Sequence, residues 1–126
     1  FDSYGQEVVL DWLRFICIEA KRIAPQVKLT VGWSDIKYAE FLADDLDILS
    51  FHLYSDIEEA RTHLRKLKTE FSTKEIYLSE FGMTSYRSKL LPFGSTEREQ
   101  AAYTRDVLNF IENINLDYFK RQKESI

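Results

Sequence analysis

Leu46-Asp47-Ile48-Leu49-Ser50-Phe51-His52-Leu53-Tyr54 is the stretch whose reading decides the fold. It is almost continuously apolar, the pattern of a strand buried on both faces of a parallel sheet. The segment after it is helical. Ser55-Asp56-Ile57-Glu58 has the spacing of a capping box, serine to glutamate three residues on. Beyond it Ile57, Ala60, Leu64, Leu67 and Phe71 recur at helical spacing. The turn at 72–74 then leads into a further strand, 76–81.

The same alternation extends outward in both directions. Upstream, residues 4–24 predict a helix with Val9, Leu13, Ile16, Ala20 and Ile23 on one face, broadened by Trp12, Phe15 and Ile18. Asp2 or Ser3 can cap it, and Pro25 marks its end. Residues 27–33 continue as a strand with β-branched Val27, Thr30 and Val31. Ser34 or Asp35 caps a short helix at 36–43, brief because Asp44-Asp45 oppose the helix dipole at its C-terminus. Downstream, a loop at 82–94 has the length of functional or mobile loops. Thr96-Glu97-Arg98-Glu99 is a second capping box, and its helix carries Tyr103, Val107, Phe110, Ile111 and Ile114 on one face. The polar tail, 117–126, is expected to fray.

The order α-β-α-β-α-β-α predicts an α/β fold with three adjacent parallel strands and right-handed crossovers. Length suits a single domain, 1–126. Three strands are few for an open parallel sheet, whose edges need protection. The chain therefore reads as part of a larger sheet or barrel. A (β/α)8 barrel takes about 250 residues, roughly twice this length.

Composition narrows the function. With 44% hydrophobic and 14% aromatic residues the chain can build a core, which argues against disorder. The net charge of −4, with both signs interspersed, gives no basic footprint for nucleic acid. No apolar run reaches membrane-span length. A single cysteine, Cys17, lies in an apolar helical stretch and reads as core; no Cys/His spacing suits a metal, and no cofactor motif is present.

Chemistry concentrates at the strand ends. Glu80 closes an otherwise apolar strand, where a carboxylate is expensive to desolvate and needs a reason to be present. By strict alternation Ser50, His52 and Tyr54 share one face. Ile76, Leu78 and Glu80 share a face of their strand, as do Leu29, Val31 and Trp33 of theirs. Trp33, Tyr54 and Glu80 would then meet on one side of the C-terminal rim, where ligands gather in parallel α/β folds. A glutamate there can attack an anomeric carbon. A neighbouring tyrosine can hold it ionised and oriented by donating a hydrogen bond. A histidine on the same face can bond a hydroxyl or carboxyl, and a rim tryptophan can stack on a sugar ring.

Ser50-Phe51-His52-Leu53-Tyr54 with Leu78-Ser79-Glu80-Phe81-Gly82 downstream resembles the strand 6 and strand 7 signatures of retaining glycoside hydrolases, nearest to the family 5 cellulases and β-mannanases. The resemblance implies a partial (β/α)8 TIM barrel running from about helix 4 to helix 7. It implies cleavage of β-linked glucan or mannan, with Glu80 as nucleophile and His52 and Tyr54 supporting it. Trp33 would be a sugar contact, and an oligo- or polysaccharide the partner. The family's acid/base glutamate comes after an asparagine at the end of strand 4. No Asn-Glu pair occurs in this sequence, so the isolated chain is expected to be inactive. Asp35 and Asp56, just past strand ends, read as helix caps. The alternative is a small α/β domain that binds a ligand at its strand ends without reacting. A half-barrel that self-associates to cover its open sheet edges is a further alternative.

Overall fold

The computed structural model describes residues 4–54, 56–83 and 95–124, with 115–124 described by backbone alone. Its elements are α1 (Gln6–Ile23), β1 (Gly32–Trp33), a single 3-10 turn (Ile36–Tyr38), β2 (Ile48–Leu53), α2 (Ile57–Glu70), β3 (Glu75–Phe81) and α3 (Glu97–Glu124). The three strands form one parallel sheet in the order β1-β2-β3. The expected caps at Asp2 or Ser3, the serine of the Ser55 capping box and most of the 82–94 loop lie outside the described residues.

β2 is the centre of the fold. Leu49, Phe51 and Leu53 are at most 1% exposed and point into the core cluster. α2 adds Ala60, Leu64 and Leu67 to that core, and α3 adds Val107, Phe110 and Ile114. These are the stripes that helical periodicity predicts. Arg61 of α2 lies over the Phe110 ring, 5.2 Å from its centroid, and so links the two helices at their solvent edge.

Local chemistry fixes the element ends. Asp56 is the N-cap of α2, accepting from the backbone N–H groups of Glu58 and Glu59 at 2.8 and 3.1 Å. Asp35 caps the 3-10 turn through Lys37 N–H. Thr96 and Glu99 make the expected reciprocal box: Thr96 N–H donates to Glu99 Oε2 at 2.7 Å, and Glu99 N–H donates to Thr96 Oγ1 at 3.2 Å.

β1 is shorter than the seven-residue strand expected. Leu29 bonds elsewhere: its N–H donates to the Asp47 carboxylate at 2.7 Å, and its carbonyl accepts from the N–H groups of Asp47 and Ile48. The chain reaches regular register with β2 only at Gly32 and Trp33. Asp47 also meets Lys21 Nζ at 2.7 Å. The Lys21 bond first, and the Leu29 N–H second, hold its carboxyl below the usual range. A lowered carboxylate pKa contributes stability that is present above its unfolded value, about pH 4, and is lost as pH falls through the folded value. Asp47→Asn should therefore lower the urea midpoint at neutral pH and flatten its decline below about pH 4.

α1 departs from expectation in its orientation. Cys17 is buried and Leu10 and Leu13 pack against the core, whereas Ile16 and Ile23 of the expected inner stripe are 44% and 73% exposed. Trp12 and Phe15 also face outward. A helix apolar around most of its circumference gives periodicity little to choose between. Its roll is set by polar anchors beside the buried stripe, Arg14 to Asp45 at 3.4 Å and Lys21 to Asp47.

β3 holds the most consequential departure. Leu49 pairs with Ile76 and Phe51 with Leu78, but the register then slips and His52 pairs with Glu80. Ser79 is the extra residue of a β-bulge. Strict alternation would leave Glu80 on the face of Ile76 and Leu78, which pack on the core. The slip carries it to the face of His52.

Candidate functional site

The face of the sheet opposite the core is polar. Ser50 is buried there, donating to the Val31 carbonyl at 2.9 Å, with its oxygen 2.9 Å from the Thr30 hydroxyl. A hydroxyl donates once, so Thr30 is the donor to Ser50. His52, two residues on, points the same way and is half-enclosed. A Cβ built on Gly32 would stand 3.2 Å from His52 Nε2, so the absent side chain leaves the imidazole its place.

His52 Nδ1 lies 3.2 Å from Glu80 Oε2. The contact is an ion pair when the imidazole carries both protons. Tyr54, just past the end of β2, lies on the same side, and interaction of its phenol with the Glu80 carboxylate, then burial, push the phenol above its ordinary value, so it keeps its proton throughout the neutral range. The His52 and Tyr54 rings meet edge to face at 6.2 Å. Glu80 thus stands beside an imidazole and a phenol while its side chain remains 55% exposed at the C-terminal end of the sheet. A carboxylate so placed can act on a ligand arriving from solvent.

The strand ends beneath it are tied to α3. Tyr103 Oη donates to the Leu53 carbonyl at 3.2 Å, and Gly82 N–H donates to the same oxygen at 3.4 Å. Burial, with a smaller push from Asp56, raises the Tyr103 phenol and keeps its proton in place for that bond. Gln100 Nε2 donates to the Met83 carbonyl at 3.2 Å. Gly32, Ser79, Gln100 and Tyr103 were not legible as site residues. Tyr103 reads as one more member of an apolar stripe, and nothing marks Gln100. Ser79 left a trace: alternation would place Glu80 among core residues, a conflict that an extra residue resolves.

Of the four candidates, three converge and one does not. Glu80, His52 and Tyr54 form one cluster. Trp33 pairs in register with Phe51, on the core face, and is 5% exposed. Its ring packs edge-on against Phe41 at 5.9 Å. Trp33, expected as a sugar contact at the rim, thus lies on the core face apart from the cluster. β1 enters the ladder one residue out of phase with the assumed alternation, so Gly32 rather than Trp33 faces His52. Among the described residues no group of three or more His, Cys, Asp or Glu side chains could hold a metal ion. No described helix is long and apolar enough to cross a membrane.

No curated protein and no solved structure is significantly similar to the chain. The family model described as "Glycosyl hydrolase catalytic core" matches residues 10–121, nearly the whole of the sequence and all three strands. The family acts on carbohydrate, and the chain belongs to the glycosyl hydrolase catalytic core family.

Proposed function

We propose that the chain is part of a retaining glycosidase acting on a β-linked glucan or mannan, with Glu80 as the nucleophile. The observation that carries this is the gathering of Glu80 with His52, 3.2 Å away, and Tyr54 at the C-terminal end of a parallel sheet. A carboxylate nucleophile must be ionised and aimed at the anomeric carbon. A neutral phenol and an imidazole N–H stabilise its charge and fix its direction. The consecutive strand order and a core gathered on one face agree with a segment of a (β/α)8 barrel, whose inner face would be the polar one.

Retention requires a second carboxyl about 5–5.5 Å from the nucleophile, acting as acid and then as base. With no Asn-Glu pair in the sequence, we assign that role to a residue outside these 126. The chain alone should then leave natural β-glucan and β-mannan oligosaccharides intact, because their alkoxide leaving groups need protonation. It should still attack aryl glycosides whose phenolate departs unaided. Tyr54→Phe should slow that attack about ten- to a hundredfold, the worth of one hydrogen bond to a charged group. Phenolate release measured by absorbance reads both. Turnover of the natural oligosaccharides comparable to that of the aryl glycoside would refute the missing acid. An unchanged rate in Tyr54→Phe would refute the role of the phenol.

A further inference from the structure

We infer that Ser79 is a positioning residue, whose hydroxyl clasps β2 at the bulge and so keeps Glu80 turned toward His52 and Tyr54. Its functional meaning rests on the reading of Glu80 as nucleophile, but the geometry stands on its own.

The register slip falls between Phe51 and His52, with Ser79 the unpaired residue on β3. Ser79 Oγ donates to the Phe51 carbonyl at 3.0 Å, at the point where the ladder is interrupted. Bulges re-aim side chains, but they also weaken pairing locally. β3 has β2 as its one neighbour among the described strands, so bonds to β2 must hold this turn of backbone. Beyond the bulge the ladder resumes, His52 pairing with Glu80 and Leu53 with Phe81, so the Ser79 bond closes the one gap in it. The Glu80 side chain is 55% exposed, and the face from which it reaches His52 is set by the backbone turn at residue 79. The serine hydroxyl is the side-chain group of β3 that bonds the β2 backbone there.

The Tyr54 phenol gives a readout that a merely structural role would not move, since its titration senses the Glu80 carboxylate directly. Tyrosine labelled with 13C at Cζ, with the Tyr54 signal assigned by its loss in Tyr54→Phe, yields that midpoint by NMR. Glu80→Gln should bring it down toward the ordinary phenol value of about 10. Ser79→Ala should produce at least half of that downward shift. Ser79→Thr, which keeps the hydroxyl, should restore the wild-type midpoint. A wild-type midpoint in Ser79→Ala, or a threonine variant that behaves like the alanine one, would overturn the clasp. So would a midpoint unmoved by Glu80→Gln, because the contact being positioned would then be absent. Ser79→Ala is a small change, and a thermal melt within a few degrees of wild type is expected to accompany the shift. If Ser79→Ala does unfold, Ser79→Gly and Ser79→Thr carry the same comparison. Loss of the nucleophile reading through unimpaired catalysis in Glu80→Gln would leave this titration result standing. The reverse also holds.

Discussion

Glu80→Gln should abolish the release of dinitrophenolate from 2,4-dinitrophenyl β-glycosides, with a loss of about 10⁴-fold or more. The wild-type chain is expected to release about one equivalent in a rapid phase and then to slow. The first phase needs the nucleophile alone: a Glu80 oxygen bonds the anomeric carbon as the bond to dinitrophenolate breaks. Hydrolysis of the resulting ester needs a base to activate water, and that base is assigned outside the chain. Glutamine is nearly isosteric but lacks the charge, so it fills the same space and attacks nothing. A variant with intact structure and no burst would separate the chemistry from the fold. A burst of wild-type size in Glu80→Gln would place the reacting group elsewhere.

The largest effect on stability should come from a residue that faces away from the site. Phe51 is 1% exposed and lies in the middle of β2, between Leu49 and Leu53 on the core face. Phe51→Ala removes most of a buried aromatic side chain and leaves a cavity among residues from several elements, which costs about 3–5 kcal/mol. Domains of this size have about 5–15 kcal/mol in total. The variant should therefore sit close to its unfolding threshold at room temperature, whereas Phe51→Leu should lose about 1–2 kcal/mol. Urea midpoints at unchanged m-value read both. A loss below about 1 kcal/mol in Phe51→Ala would mean that β2 is not the centre of the core.

Which parts of the molecule can be read from its residues depends on the physics at each position. The stripes of α2 and α3 are separated from polar faces by a sharp change in hydropathy, so their buried residues fall out of periodicity. The caps at Asp35, Asp56 and Thr96 are local and equally readable. α1 fails because its apolar surface is too broad to specify a roll, and ion pairs distant in sequence decide it. β1 fails because the Asp47 side chain competes with the sheet for Leu29. Glu80, His52 and Tyr54 are legible as candidates by residue type at strand ends, yet the faces assigned to them assume unbroken alternation. The bulge at Ser79 and the phase of β1 both violate it, and they send Glu80 toward the cluster and Trp33 away from it.

The most direct measurement uses a 2-deoxy-2-fluoro-β-glycosyl dinitrophenolate of glucose or mannose. The fluorine slows both steps by opposing positive charge at the anomeric carbon, while the leaving group keeps the first step accessible. The trapped ester then persists for mass analysis. The chain should gain the mass of one fluorosugar, and peptide sequencing should place it on Glu80, with no gain in Glu80→Gln. A label on any other residue, or no label from either sugar on the folded chain, would contradict the assignment of Glu80 as the nucleophile.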